Sequence, residues 1–174
     1  MRTTDEGPTV RRADHDDLRA AAELRWRWIV EDRGGTPLGS RADFVASFAA
    51  WGVEHEGTHT CSVAVLPAHD GTGERVVGLA WLAEQERVPT PALPRRATGD
   101  VQSVYVAPEH RGAGVAARLV DALLAEAWQR GLERVTVHSD PGAVRVYERA
   151  GFAATPTLLE IDRPAPAADE EHRP

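Results

Sequence analysis

Gln102-Ser-Val-Tyr-Val-Ala-Pro-Glu-His-Arg111-Gly-Ala-Gly114-Val-Ala116 passes from an apolar, strand-like run through a glycine-rich turn into a long amphipathic pattern. Gly112 and Gly114 carry no side chains, so the backbone there can approach a ligand closely. The first turn of the helix that follows offers unpaired N–H donors and a positive dipole end to an anion. Two glycines at this spacing also suit a plain tight turn between a strand and a helix. A second segment decides between these readings.

That segment is Asp140-Pro-Gly-Ala143-Val-Arg-Val-Tyr147-Glu-Arg-Ala-Gly151-Phe152. Together the two stretches resemble the GNAT family of acyl-CoA-dependent N-acetyltransferases. The phosphate-loop signature of that family, Arg/Gln-x-x-Gly-x-Gly/Ala, reads here Arg111-Gly-Ala-Gly114-Val-Ala116, with Val-Ala-Pro directly before it. Ala143, Tyr147, Gly151 and Phe152 fit the downstream signature, in which Asp140 stands where Asn is usual. The detailed match covers roughly residues 100 to 152, and two motifs in order on suitable elements are far more specific than one. The resemblance implies an α/β fold, with a mixed, twisted sheet of six or seven strands flanked by about four helices. It also implies that the sheet splays open near a bulge and holds the acyl-CoA there.

Composition sets the outer bounds. The chain has 174 residues, 42% apolar and 27% charged, ordinary values for one globular domain with a sizeable core. Residues 9–162 are expected to form that domain, between Pro-, Ala- and charge-rich tails at 1–8 and 163–174 that are expected to be disordered. No run approaches a membrane span, and Met1 is followed by polar residues, which predicts a cytoplasmic protein. Cys61 is the only cysteine, so no internal disulfide forms, and it reads as a small buried residue in a strand. A formal charge of −7 argues against nucleic acid as a partner and favours cationic small molecules, although a solvated acidic surface explains it equally well.

Along the chain, Thr9–Ala13 reads as a short strand, and Asp14 or Asp16 as the cap of a helix running to about Asp32, stopped by Gly34-Gly35. Ser40 caps a second helix from Arg41 to Trp51. Thr60–Leu66 and Val76–Gln85 read as an antiparallel pair, and Val88–Pro94 suits either a stiff proline-rich connection or a wall of an acceptor mouth. Val101–Val106 is the next strand. Ala116, Leu119, Val120, Leu123, Leu124 and Ala127 then stripe one helix face as far as Gly131. Val135–His138 is a strand, Asp140-Pro141 caps a short helix closed by Gly151, and a last strand is expected over about Ala153–Ile161.

For the chemistry, the backbone of Arg111, Gly112, Ala113, Gly114, Val115 and Ala116, with the Arg111 cation, can hold a diphosphate without a metal. The resemblance implies that Asp140 lies near the pantetheine or diphosphate. The resemblance implies that main-chain groups of Val104, Tyr105 and Val106 pair with the pantetheine arm and contact the thioester oxygen, and that Tyr147 protonates the departing thiolate. A phenol with an ordinary pKa of about 10 is protonated at neutral pH, as that role requires. An aliphatic ammonium with a pKa of about 10.4 must lose a proton before it can attack, so a base or a water path to one is needed. Gln102 occupies the position where some relatives carry Glu and cannot serve. Asp100, on the same strand face, is the first candidate and Glu84, on the preceding strand, the second; each also suits a solvated strand-end acid.

Glu31 and Asp32 lie in the last turn of the first helix, where negative charge opposes the dipole. In the resembled fold this region walls the acceptor site, so these acids could attract a cationic amine, with Trp28, and also Trp26, Trp51 or Trp81, adding apolar or cation–π walls. His55-Glu56-Gly57-Thr58-His59 matches the zinc-protease pattern His-Glu-x-x-His, but falls between a helix and a strand, where the two imidazoles would not share a helix face. His69, His110 and His138 fit no extension of that motif, so no metal is expected. The reading is therefore an acetyl-CoA-dependent N-acetyltransferase acting on a primary amine of a small molecule or peptide by direct attack in a ternary complex, with a homodimer possible. The alternative is a non-catalytic acyl-CoA-binding sensor or interaction module, to which the Asp140 and Gln102 departures lend weight.

Overall fold

The first helix is fixed by a reciprocal pair of caps. Asp14 Oδ1 accepts from the Asp17 amide at 2.9 Å, and Asp17 Oδ2 accepts from the Asp14 amide at 2.8 Å, so two otherwise orphaned donors are satisfied. This structure is a computed structural model, and it describes residues 7–68, 71 and 73–161. His69 and residues 163–174 lie outside that range, as does most of the expected tail over 1–8. Helix α1 spans Asp17–Trp26 and continues as a wider π-helical turn, Arg27–Asp32. The turn ends where the Gly34 and Gly35 amides bond back to Val30 and Ile29. Helix α2, Arg41–Glu54, begins at Ser40, whose hydroxyl accepts from the Asp43 amide.

The sheet has five strands in chain order: β1 Thr9–Arg12, β2 His59–Pro67, β3 Glu74–Arg87, β4 Arg96–Val106 and β5 Val135–Val137. The first four pair antiparallel and β5 joins β4 in parallel. Helix α3, Val115–Gln129, is the crossover, and it lays Val115, Leu119, Val120, Leu123 and Ala127 on one face of the sheet against Ala64, Val77, Ala80, Leu82 and Val101. The other face buries Leu18 and Ala21 of α1 against Cys61, Val63, Val65, Leu79, Trp81 and Tyr105. Cys61 is the buried strand residue expected, and burial pushes its thiol well above the ordinary range. Pro141–Ala143 forms one 3₁₀ turn, and α4 follows over Val144–Arg149.

The expected sixth and seventh strands are absent among the described residues. Over Ala153–Ile161, Pro156 withholds a ladder donor, the Thr155 and Thr157 hydroxyls bond to one another at 2.8 Å, and Leu158, Leu159 and Ile161 are exposed. The His-Glu-x-x-His match also resolves. α2 ends at Glu54 and His59 opens β2, so His55 and His59 do not share a helix face. No helix among the described residues is long and apolar enough to cross a membrane.

Packing is close where α2 crosses α1. A Cβ built on Gly52 would stand 3.0 Å from Leu18 Cδ1 and 3.2 Å from the Trp81 ring. Gly52→Leu should therefore overpack this crossing at a cost of about 1–3 kcal/mol, or about 2–12 °C in Tm for a domain of this size. Thermal unfolding followed by circular dichroism checks this; an unchanged Tm would show the crossing to be looser than described.

Candidate functional site

The site begins with a fault in β4. Leu79 stands opposite Tyr105 and Trp81 opposite Gln102, so Ser103 and Val104 together face the single residue Ala80. This is a β-bulge, and Ser103 takes the left-handed conformation at φ 57°, unusual for a residue with a side chain. On its other side β4 pairs with β5 only over Gly99–Val101 with Val135–Val137. From Gln102 onward the two strands part, and among the described residues no strand lies opposite the main chain of Ser103–Val106 on that side.

The parted strands lead into the glycine loop. Gly112 and Gly114 have φ values of 83° and 74°, and a Cβ on either would meet nothing within 4 Å. Gly114 is also the N-cap of α3 and brings no side-chain cap, so the first-turn amides are unclaimed by the protein. A concave, donor-lined turn at a helix N-terminus is what an anionic diphosphate requires. Arg111 turns back toward the strand. Its Nε donates to the Val106 carbonyl at 2.9 Å, and its guanidinium lies 3.8 Å from Asp32 and over the Tyr105 ring.

The π-helical turn supplies a wall on the α1 side. Trp28 stacks on Tyr105 with ring centroids 5.3 Å apart, and the Tyr105 hydroxyl donates to Asp32 Oδ2 at 2.7 Å. Burial first, and then the bond to Asp32, push the Tyr105 phenol up to about 12. Glu31 pairs with Arg41 at 2.9 Å. Both acids read from the sequence as attractors for a cation thus already hold internal partners. Arg27 grips Glu109 through two hydrogen bonds of 2.9 Å, which holds that carboxyl down at about 2 and ties the π-helical turn to the approach of the glycine loop.

Across the gap, Tyr147 on α4 is buried with Phe152 edge-on to its ring at 5.6 Å. Burial, and secondarily the charge of Asp140, raise its phenol above the ordinary value. Asp140 makes no capping bond; its carboxylate pairs instead with Arg33, which joins the end of the π-helical turn to the start of the α4 segment. Asp100 accepts from the Gln102 amide at 2.9 Å and from the Thr136 hydroxyl at 3.3 Å. Glu84 is bonded to Arg130 at 3.2 Å, at the far end of α3. Asp100 and Glu84 therefore do not converge: Asp100 shares its strand face with Gln102 and Tyr105, and Glu84 belongs to the face covered by α3. The Tyr105 hydroxyl, Arg25 and Arg33 join this wall although nothing in the sequence marks them. The Tyr105–Asp32 bond spans 73 residues, beyond any local pattern. Among the described residues no group of three His, Cys, Asp or Glu is arranged to hold a metal ion.

Comparison with known proteins agrees with this geometry. The model of the Acetyltransferase (GNAT) family matches residues 70–152. A curated relative, glucosamine 6-phosphate N-acetyltransferase of Trypanosoma brucei brucei, is 32% identical over 94 residues, covering 54% of this chain and 61% of its own length. The chain thus spans about three-fifths of that relative. Among solved structures, an acetyltransferase of Trypanosoma brucei has a TM-score of 0.65 at 27% identity, covering 90% of this chain and 99% of that one. A predicted acetyltransferase with acetyl-CoA from Clostridium acetobutylicum has a TM-score of 0.68 at 22% identity, covering 89% and 96%, and so shares the fold. Residues 70–152, which hold the glycine loop and α4, thus match the Acetyltransferase (GNAT) family, and the chain shares the fold of these acetyltransferases.

Proposed function

We propose that the chain, as one domain over residues 9–162, moves the acetyl group of acetyl-CoA to a primary amine of a small molecule or peptide by direct attack in a ternary complex, in the cytoplasm. The observation that carries this reading is the parting of β4 from β5 directly before an open glycine loop. Acetyl-CoA supplies a thioester carbonyl open to an amine, with a thiol as leaving group. The amides of residues 112–116 bind its diphosphate, and the edge of β4 over Val104, Tyr105 and Val106 that faces away from β3 is offered to the pantetheine arm. A main-chain N–H in that stretch polarises the carbonyl.

Tyr147 donates its phenolic proton to the sulfur as the C–S bond breaks and recovers one from solvent. Its raised pKa keeps the phenol protonated through neutral and mildly alkaline pH. Asp100 is the base, receiving the ammonium proton directly or through water, with its oxygens oriented by Gln102 and Thr136. Glu84, committed to Arg130, is the weaker candidate. Trp28 borders the acceptor, while Asp32 and Glu31 hold the wall in shape through Tyr105 and Arg41. The sensor alternative drew on the negative charge of Asp140, and the Arg33 pairing offsets that charge.

Two variants test the reading. Gly114→Val puts a side chain into the cradle and forces it into a left-handed conformation costing roughly 1–2 kcal/mol. Acetyl-CoA affinity measured by calorimetry should fall below detection while the folded signal at 25 °C persists, and retained affinity would remove the cradle. Tyr147→Phe should lower kcat for thiol release with a primary amine by about 100-fold or more with little change in the acetyl-CoA KM. Because a raised phenol pKa moves deprotonation to higher pH, the wild-type kcat should fall only at pH values above the ordinary phenol range, and that alkaline limb should vanish in the variant. Near-normal turnover in Tyr147→Phe would make the tyrosine structural, and a wild type that binds acetyl-CoA without turnover on any amine would favour the sensor.

A further inference from the structure

The wall that faces the parted strands carries more cationic than anionic character, contrary to the overall charge of the chain. Two guanidinium groups lie against one indole: Arg25 is 4.8 Å and Arg33 4.9 Å from the Trp28 ring centroid. The other cations of this region have carboxylate partners, Arg27 with Glu109, Arg33 with Asp140 and Arg111 near Asp32. Among the described residues, Arg25 has none within salt-bridge distance. It is also partly buried, and burial first, with the charge of Arg33 second, pushes its guanidinium below the ordinary value while leaving it a cation. A desolvated guanidinium without a counter-charge, held close to a second one, is a poor arrangement for stability alone. Its cost is recovered when an anion arrives.

We infer that Arg25 and Arg33, set against Trp28, bind an anionic group, a phosphate or a carboxylate, carried by the acceptor amine. The inference rests on the acetyl-transfer reading and narrows its substrate class to amines that bear a negative charge at a distance from the nitrogen. Arg25 accepts the anion in a planar, two-pronged contact, Trp28 lies flat against the body of the acceptor, and Arg33 exchanges Asp140 for the incoming group. A CoA phosphate offers the same chemistry from a different source, and the test separates the two.

Glucosamine and glucosamine 6-phosphate share an amine and differ by one phosphate. Each, together with inorganic phosphate, is titrated calorimetrically into the full chain with and without saturating CoA, as wild type, Arg25→Gln and Arg25→Lys. Wild type should bind glucosamine 6-phosphate at least about tenfold more tightly than glucosamine, the worth of one hydrogen bond to a charged group. Arg25→Gln should bring the two within about threefold, and Arg25→Lys should fall between, with CoA affinity unchanged. Equal wild-type affinities for the two sugars, or a preference that survives Arg25→Gln, would overturn the inference. So would a loss of CoA affinity in Arg25→Gln, which would assign the guanidinium to the CoA phosphates. If Arg25→Gln melts early, the exposed Arg33→Gln supplies the same comparison. A wild type that fails to bind CoA would sink the acetyl-transfer reading, while the titrations without CoA still report on the anion site.

Discussion

The site depends on a mismatch of one residue between β3 and β4. Ser103 and Val104 occupy the space opposite Ala80, and that single insertion turns β4 away from β5 after three paired residues. Its cost is the left-handed backbone of Ser103, of order 1 kcal/mol or more for a residue with a Cβ. The bulge leaves one edge of β4, over Ser103–Val106, without a strand beside it among the described residues, where a ladder would normally continue. Its immediate surroundings are rigid. Tyr105 is buried, Trp28 lies flat on its ring, and its hydroxyl is bonded to Asp32. A strained opening held by packed aromatic groups suits a ligand that must lie along a strand.

Electrostatics then fasten the two sides of the opening. Arg27 ties the π-helical turn to the loop before the glycines through Glu109, and Arg33 ties the same turn to Asp140 ahead of α4. Both pairs are largely exposed, so each contributes little to stability in water. Their importance is positional: they set where the π-helical turn lies relative to β4 and α4. The wider π-helical turn has the same effect from within the helix, because it places Trp28 over Tyr105 and brings Asp32 to the Tyr105 hydroxyl.

Much of this was legible in the residues. The caps at Asp14 and Ser40, the apolar stripe from Val115 to Ala127, and the left-handed Gly112 and Gly114 obey rules that operate within a few residues. The parting of the strands followed only from family resemblance, since a bulge leaves no periodic mark. The segment Ala153–Ile161 shows the opposite failure. Its apolar residues suggest a strand, but a strand exists only where a neighbouring backbone offers a ladder, and β5 is three residues long. The partners of the acids in the acceptor wall stayed hidden for a related reason. Glu31 and Asp32 stand out as acids against a helix dipole, and only the tertiary structure brings Arg41, Tyr105 and Arg111 to them. Arg25, with no acid beside it among the described residues, carries no sequence signal that separates it from a solvated helix residue.

The central claim is that the parted strands and the glycine loop form one site for acetyl-CoA. The most direct test is the melting temperature of the full chain with and without the ligand, with a chelator as a parallel control. At about 100 times Kd, acetyl-CoA should stabilise the fold by about 2.7 kcal/mol, raising Tm by about 5–11 °C whether or not the chelator is present. No shift at saturating ligand would contradict the account, leaving a GNAT fold whose cleft serves some other purpose.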